Sequence, residues 1–416
     1  MNMKRIVPSA ICAAVLAGSV SANATDYYLY GSTAYRKATF TAIQNLFNQS
    51  GNTLTAAWGK NSSGNYEDIH AVAAFSEGDS AWVVTGTLAN QGLGSVRVFG
   101  TWAGSVGGLA RLTHNDALAN TFINDVGAVA GNAVTYVPAH SPDFAMCDNQ
   151  PGVTPFVSPT PGYSAVHNIS IAVVDFVIAA NKGSFPAQFT NVTGYQLRTL
   201  YTLGSAPLGL FTGNPSDDTI GIYAVGRDDD SGTRTIFETD TGLGVGATLF
   251  QYSITGTPSY KYAYAGITGI NFPNDGAGYS GGGDVKTALL ISNPGTYSNG
   301  DAFNLYNSMS AENSSYAIGY LAVSDWNGSG LPTLTYNGVA FSDAAVQEGH
   351  YSYWGIENAN VRLNDWNSNL NGIQTFATAL TAQQQVLAGN ASNPGTLLTS
   401  SLQCTRSTDG AVIVRK

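Results

Sequence analysis

Charge is scarce in this chain: Lys, Arg, Asp and Glu supply only 11% of its 416 residues, while 44% are hydrophobic. That balance excludes a disordered, charge-solvated polymer. Basic residues are the rarer sign, 17 against 27 acidic ones. They form no stripe able to displace counterions, which excludes nucleic acid as a partner. Histidine occurs five times, at 70, 114, 140, 167 and 350, with no HExxH or paired metal spacing, so no metal site is expected. Beyond the first residues no apolar run approaches the ~20 residues of a membrane helix.

Glycine is abundant, with 48 residues, alongside 22 Tyr, a composition that fits an exported protein with many turns. Residues 1–24 read as a secretory signal peptide. Lys4 and Arg5 precede the mostly apolar stretch from Ile6 to Val20, and Ala22-Asn23-Ala24 supplies small residues for cleavage. Leu16-Ala17-Gly18 is followed by Ser19 rather than Cys, so the expected product is a periplasmic or secreted protein without a lipid anchor. Removing Lys4 and Arg5 makes the chain two charges more negative than its formal −10. Of three cysteines, Cys12 falls in the leader. Cys147 and Cys404 remain, and their even number in an oxidising compartment fits a disulfide, with two free buried thiols as the alternative.

Short apolar runs alternate with helical spacings along much of the chain. Asp26 to Tyr30 reads as a strand, a turn follows at Gly31-Ser32-Thr33-Ala34, and residues 35–48 carry a helical pattern (Phe40, Ile43, Leu46, Phe47). Residues 50–95 suggest small strands or a hairpin insertion. Strands are expected at 95–99, 134–137, 143–146, 169–180, 220–225 and 316–323. Helices are expected near 195–201, 284–291 and 369–387, a turn between strands at 333–338, and a last strand at 411–414. Roughly 390 residues exceed one ordinary core, so two lobes are expected. The alternation predicts an α/β fold with ligand loops at strand C-termini.

Residues 226–237 carry the strongest chemical signal. An apolar run leads into Arg227, an acidic turn follows, and Ser231-Gly232-Thr233 opens a helix. A guanidinium, two hydroxyls and helix N-terminal amides thus meet at one point, suited to a tetrahedral oxyanion. Two other chemistries fail on spacing. Counting from Asp228, an EF-hand needs Gly at position six and Glu at position twelve, but finds Thr233 and Thr239. Ala103-Gly104-Ser105-Val106-Gly107 misses the Gly-x-Ser-x-Gly nucleophile elbow at its first residue. No activated nucleophile emerges, and no enzyme is expected.

The segment resembles the Arg-Ser-Asp-Gly-Ser-Gly-Thr motif of periplasmic phosphate-binding proteins, the solute receptors of ABC transporters. Gly31-Ser32-Thr33-Ala34, Gly104-Ser105-Val106-Gly107-Gly108 and Asp143-Phe144-Ala145-Met146-Cys147-Asp148 resemble the other ligand loops of that family, in the same order. Asn181-Lys182-Gly183, Ile318-Gly319-Tyr320 and Gly349 to Trp354 are similar to further landmarks. The resemblance implies a type II periplasmic-binding-protein architecture with the cleft between two lobes. Lobe one would comprise 25–180 and 322–416, with an insertion near 50–95, and lobe two 181–321. It implies hydrogen phosphate, or a related oxyanion, held by Thr33, Ala34, Ser105, Asp148, Arg227, Ser231, Gly232 and Thr233, with Asp229 steadying Arg227. Asp148 would accept the proton of hydrogen phosphate and repel sulfate. No cofactor is implied; the partners are the anion and an ABC permease, and the state is monomeric. Asp228 and Asp230 depart from the small residues the family has at their positions. The alternative is a structural or surface-interaction protein that keeps the fold without transport.

Overall fold

The computed structural model describes residues 24–71, 81–181, 189–252, 260–261, 278–290, 316–390 and 394–416. Residues 1–23 of the expected leader, and Lys182-Gly183, lie outside them.

The first half contains strands β1 (Thr25–Gly31), β2 (Thr53–Lys60), β3 (Tyr66–Asp68), β4 (Ala81–Leu88), β5 (Gly94–Trp102), β6 (Phe144–Cys147) and β7 (Val166–Ala180). Helix α1 (Arg36–Phe47) follows β1, and α2 (Ser105–His114) follows β5. Then come β8 (Asn191–Val192), α3 (Gly194–Leu203), β9 (Ser205–Pro207), α4 (Gly209–Thr212), β10 (Gly221–Val225) and α5 (Gly232–Asp240). β11 (Tyr260–Lys261), β12 (Gly278–Tyr279), α6 (Gly282–Leu289), β13 (Tyr316–Ala322), α7 (Val323–Trp326), β14 (Thr333–Tyr336) and α8 (Asp343–Gln347) follow. The chain continues through β15 (Trp354–Arg362), α9 (Leu363–Ser368) and α10 (Ile373–Leu387).

The main sheet runs β3-β2-β4-β5-β1-β6-β15-β7-β13-β10-β9. Two parallel clusters sit within it: β1 is parallel to β5 and β6, and β10 is parallel to β13. The antiparallel pair β15 and β7 joins them. β7 pairs with β15 up to Asp175 and with β13 from Phe176 to Ala180, so this one strand passes from one cluster to the other. Its last ten residues are all buried, the pattern of a strand covered on both faces. The result is a two-lobed α/β architecture.

Local sequence explains the elements that frame the site. α1 buries Phe40, Ile43, Leu46 and Phe47 on one face, and α10 packs beside it, with Gln384 donating to Thr39 at 2.9 Å and Phe376 stacking on Tyr27 at 4.1 Å. α3 starts with a capping box between Thr193 and Gln196. Within the expected insertion, β2, β3 and β4 form an antiparallel extension on the β5 edge.

Two expectations differ. Residues 134–137 form no strand; Tyr136 makes an isolated bridge to Ile123. Their alternating apolar residues, Val134, Tyr136 and Val137, pack instead on the cluster of Tyr28, Phe99 and Phe122. Residues 333–338 are not merely a turn: β14 pairs with β7 and β8, and the turn follows at Asn337 and Gly338, both with positive φ.

Candidate oxyanion site

Three loops leave the carboxyl ends of the parallel strands β1, β5 and β6, where ligand loops of such sheets lie. They are bound to one another. The Gly31 carbonyl accepts from the Gly104 amide at 3.0 Å, and the Ser32 amide donates to the Met146 carbonyl at 2.8 Å. A Cβ at Gly31 would sit 2.1 Å from the Met146 oxygen, so the approach of β1 to β6 requires glycine. Just beyond, Ser32 Oγ and Thr33 Oγ1 are buried without a hydrogen-bond partner among the described residues. Neither caps α1, whose N-cap is Tyr35 and has no side-chain cap bond. Ala34 contributes its carbonyl to Ser324 Oγ at 3.4 Å.

Asp148, directly after β6, is 1% exposed. Ser105, the first residue of α2, donates its hydroxyl to Asp148 Oδ1. Thr233, near the start of α5, donates to Asp148 Oδ2 at 3.0 Å. Burial raises the Asp148 carboxyl above its ordinary pKa; the Ser105 and Thr233 hydrogen bonds and the charge of Arg227 act against that rise. A Cβ at Gly232 would fall 1.8 Å from Asp148 Oδ1 and 2.7 Å from Ser105 Cβ. Only a hydrogen fits there.

On the opposite side, β10 delivers Arg227 and α5 begins with Ser231 as N-cap, its Oγ accepting from the Arg234 amide at 3.3 Å. Arg227 is 2% exposed. Its Nε donates to the Tyr279 carbonyl at 3.1 Å and its Nη2 to the Ser280 carbonyl at 2.8 Å. The expected support from Asp229 is absent: Asp229 is exposed and forms no ion pair with Arg227. Main-chain carbonyls hold the guanidinium instead, because the chain at Tyr279 runs beside Arg227 in a parallel bridge. Asp228 is fully buried, while Asp230 is half-buried. The Asp230 carbonyl accepts from the Val106 and Gly107 amides at 2.9 and 3.3 Å. These are amides of the first turn of α2, the ones a bound anion would use.

The expected disulfide is not formed. Cys147 and Cys404 are both free and buried. Cys147 Sγ donates to the Ser105 carbonyl at 3.2 Å, and Cys404 Sγ lies 3.7 Å from the Val346 carbonyl. Each thiol packs in its own surroundings, which an even cysteine count cannot reveal.

Several residues that shape the site escaped sequence reasoning. Arg234 and Glu238 form a buried ion pair at 2.7 Å, and Arg234 also reaches the Arg227 carbonyl at 3.5 Å; their i, i+4 spacing was the available signal. Glu357 is 0% exposed, and neither carboxyl oxygen has a partner among the described residues. Burial, then the negative charge of Asp148, pushes its carboxyl well above the ordinary value. Asp409 Oδ2 accepts from the Gln150 amide at 2.7 Å, tying the tail beneath the Asp148 loop. Nothing in the polar tail sequence announces that contact. Among the described residues no three His, Cys, Asp or Glu side chains group as a metal site, and no helix is long and apolar enough to cross a membrane.

No protein-family model matches the chain, and neither does any curated protein. Solved structures do. One is a phosphate-bound structure from Clostridium perfringens, described as a phosphate ABC transporter substrate-binding protein: 12% identity, 90% of this chain and 100% of that one covered, TM-score 0.43. Another is an ABC-type phosphate transport receptor from Vibrio cholerae, at 14% identity, 87% and 97% coverage and TM-score 0.40. A third is PstS from Borrelia burgdorferi, at 11% identity, 90% and 98% coverage and TM-score 0.36. The chain is similar to phosphate-binding proteins of ABC transporters.

Proposed function

We propose that this chain is an exported, monomeric solute-binding protein that captures hydrogen phosphate, or a related tetrahedral oxyanion, between two lobes and delivers it to an ABC permease. The lobes are 25–180 with 322–416, and 181–321. The observation that carries this reading is the convergence on Asp148: a buried carboxylate receives hydroxyls from Ser105 and Thr233, on opposite sides of the cleft, within the field of Arg227. Hydroxyls, helix-start amides and one arginine are the donors an oxyanion needs. Ser32 and Thr33 add two buried hydroxyls that lack an acceptor among the described residues. Asp148 would take the proton of hydrogen phosphate, and a fully ionised anion would face an uncompensated carboxylate. Lobe closure would bury the anion.

A second reading rests on its own observation. The Asp230 carbonyl already occupies the α2 amides, and Gly232 lies against Asp148, as in a protein that keeps the scaffold for a structural role. Calorimetry of ligand-stripped protein with phosphate, sulfate and arsenate separates the two. A receptor gives heat with phosphate and arsenate and little with sulfate. Absence of heat with all three rejects the receptor.

A further inference from the structure

We propose that the cleft is self-liganded: the Asp148 carboxylate and the Asp230 main-chain carbonyl occupy the donors that an oxyanion would use, and so hold the lobes together without ligand. This deepens the receptor reading and rests on it for what the latch excludes, but the latch itself is a matter of contacts within the chain.

A tetrahedral anion needs hydroxyls and amides that face it. Here the Ser105 and Thr233 hydroxyls both end on Asp148, a negatively charged acceptor that imitates one edge of such an anion. The Val106 and Gly107 amides end on the Asp230 carbonyl. Both sets cross the cleft: Asp148 belongs to the β6 loop and Thr233 to α5, while Asp230 precedes α5 and Val106 lies in α2. The fit leaves no room between them. Added Cβ atoms at Gly104 and Gly107 would meet Asp230 at 2.2 and 2.7 Å, and one at Gly232 would meet Asp148 at 1.8 Å. Two glycines of α2's start and one of α5's start thus permit a contact closer than any side chain allows.

Behind the latch the two sides are joined again. Tyr353 Oη donates to the Thr233 carbonyl at 3.3 Å, Ser352 Oγ donates to Asp240 at 3.0 Å, and Gly410 packs on Thr239. Anion capture therefore requires an exchange: Asp148 and Asp230 must withdraw before the donors become available. Apparent affinity falls in proportion to the fraction of molecules that have opened.

The test uses spin labels at Ser62→Cys and Thr219→Cys, exposed positions on opposite lobes, because the native thiols are buried. Pulsed EPR distances are compared with calorimetry using phosphate and sulfate. The expected result is one narrow distance distribution in ligand-free protein, lengthened or broadened by Asp148→Ala. The same variant frees two hydroxyls and tightens sulfate binding about tenfold or more. Thr233→Val supplies a second variant that should also lengthen the distance, with circular dichroism verifying the fold of each. A ligand-free distance that shortens with phosphate overturns the latch and leaves the receptor intact. A distance unmoved by both variants also overturns it. A distance that both variants lengthen, with no phosphate heat in any protein, supports the latch and rejects the receptor.

Discussion

Two corners of the candidate site, both built with serine and threonine, stand in opposite states. At the Ser105–Asp148–Thr233 corner both hydroxyls have an acceptor, and both carboxylate oxygens have a donor. At the Ser32–Thr33 corner two buried hydroxyls have none among the described residues. A buried polar group without a partner costs free energy, so the second corner is built at a loss unless something outside the chain completes it. The difference teaches that serine and threonine after a strand end do not by themselves define a ligand contact. Whether an internal acceptor already faces them decides.

The largest expected effect breaks the satisfied corner. Gly232→Ala inserts a methyl where the Asp148 oxygen lies; a loss of about 3 kcal/mol in urea unfolding is expected, as for overpacking in a tight core. An unchanged unfolding midpoint would show that the corner is looser than described. Thr233→Val removes one of the two hydroxyl bonds to a buried carboxylate and should cost about 2 kcal/mol, read in the same assay.

Glu357 extends the comparison to an acid with no partner among the described residues. Its folded pKa is raised, chiefly by burial. Its stabilising contribution is therefore complete below the ordinary carboxylate range and is lost as pH rises through the raised value. Glu357→Gln should leave stability near pH 4 little changed and raise it at pH 8, flattening the profile in thermal melts. A variant that follows the wild-type slope would remove Glu357 as the cause.

The smallest effect belongs to the unsatisfied corner. Ser32→Ala and Thr33→Val each remove a buried hydroxyl that has no partner among the described residues, so stability should rise, by about 1 kcal/mol. Phosphate affinity, measured by calorimetry, should nevertheless fall by about tenfold for each. A stability loss as large as that of Thr233→Val would mean that these hydroxyls do have an internal partner, and the comparison would collapse.

Much of the frame was legible in the chain. The β-branched run from Ile169 to Ala180 favours a buried strand, and from Ile171 onward it is the covered part of β7 that links the halves. Ser231 before Gly232-Thr233 announced a helix start, because an N-cap hydroxyl next to a polar first turn is a local signal. The strand at 134–137 failed because alternation reports a buried face, not a pairing partner.

The site itself was only half legible. Arg227 could be named from local pattern, and Asp148 and Ser105 from the family resemblance, but their partners come from far along the chain: Thr233 to Asp148, Tyr279 to Arg227, Asp230 to Val106. Sequence alone thus determined which donors and acids are present, and on which strand ends and helix starts they stand, since those depend on neighbours a few residues away. Only the tertiary structure decided which donor faces which acceptor. Hydrogen bonds form within about 3 Å of through-space separation, and the packing of β1, β6, β10 and α5 set that distance for residues more than eighty positions apart.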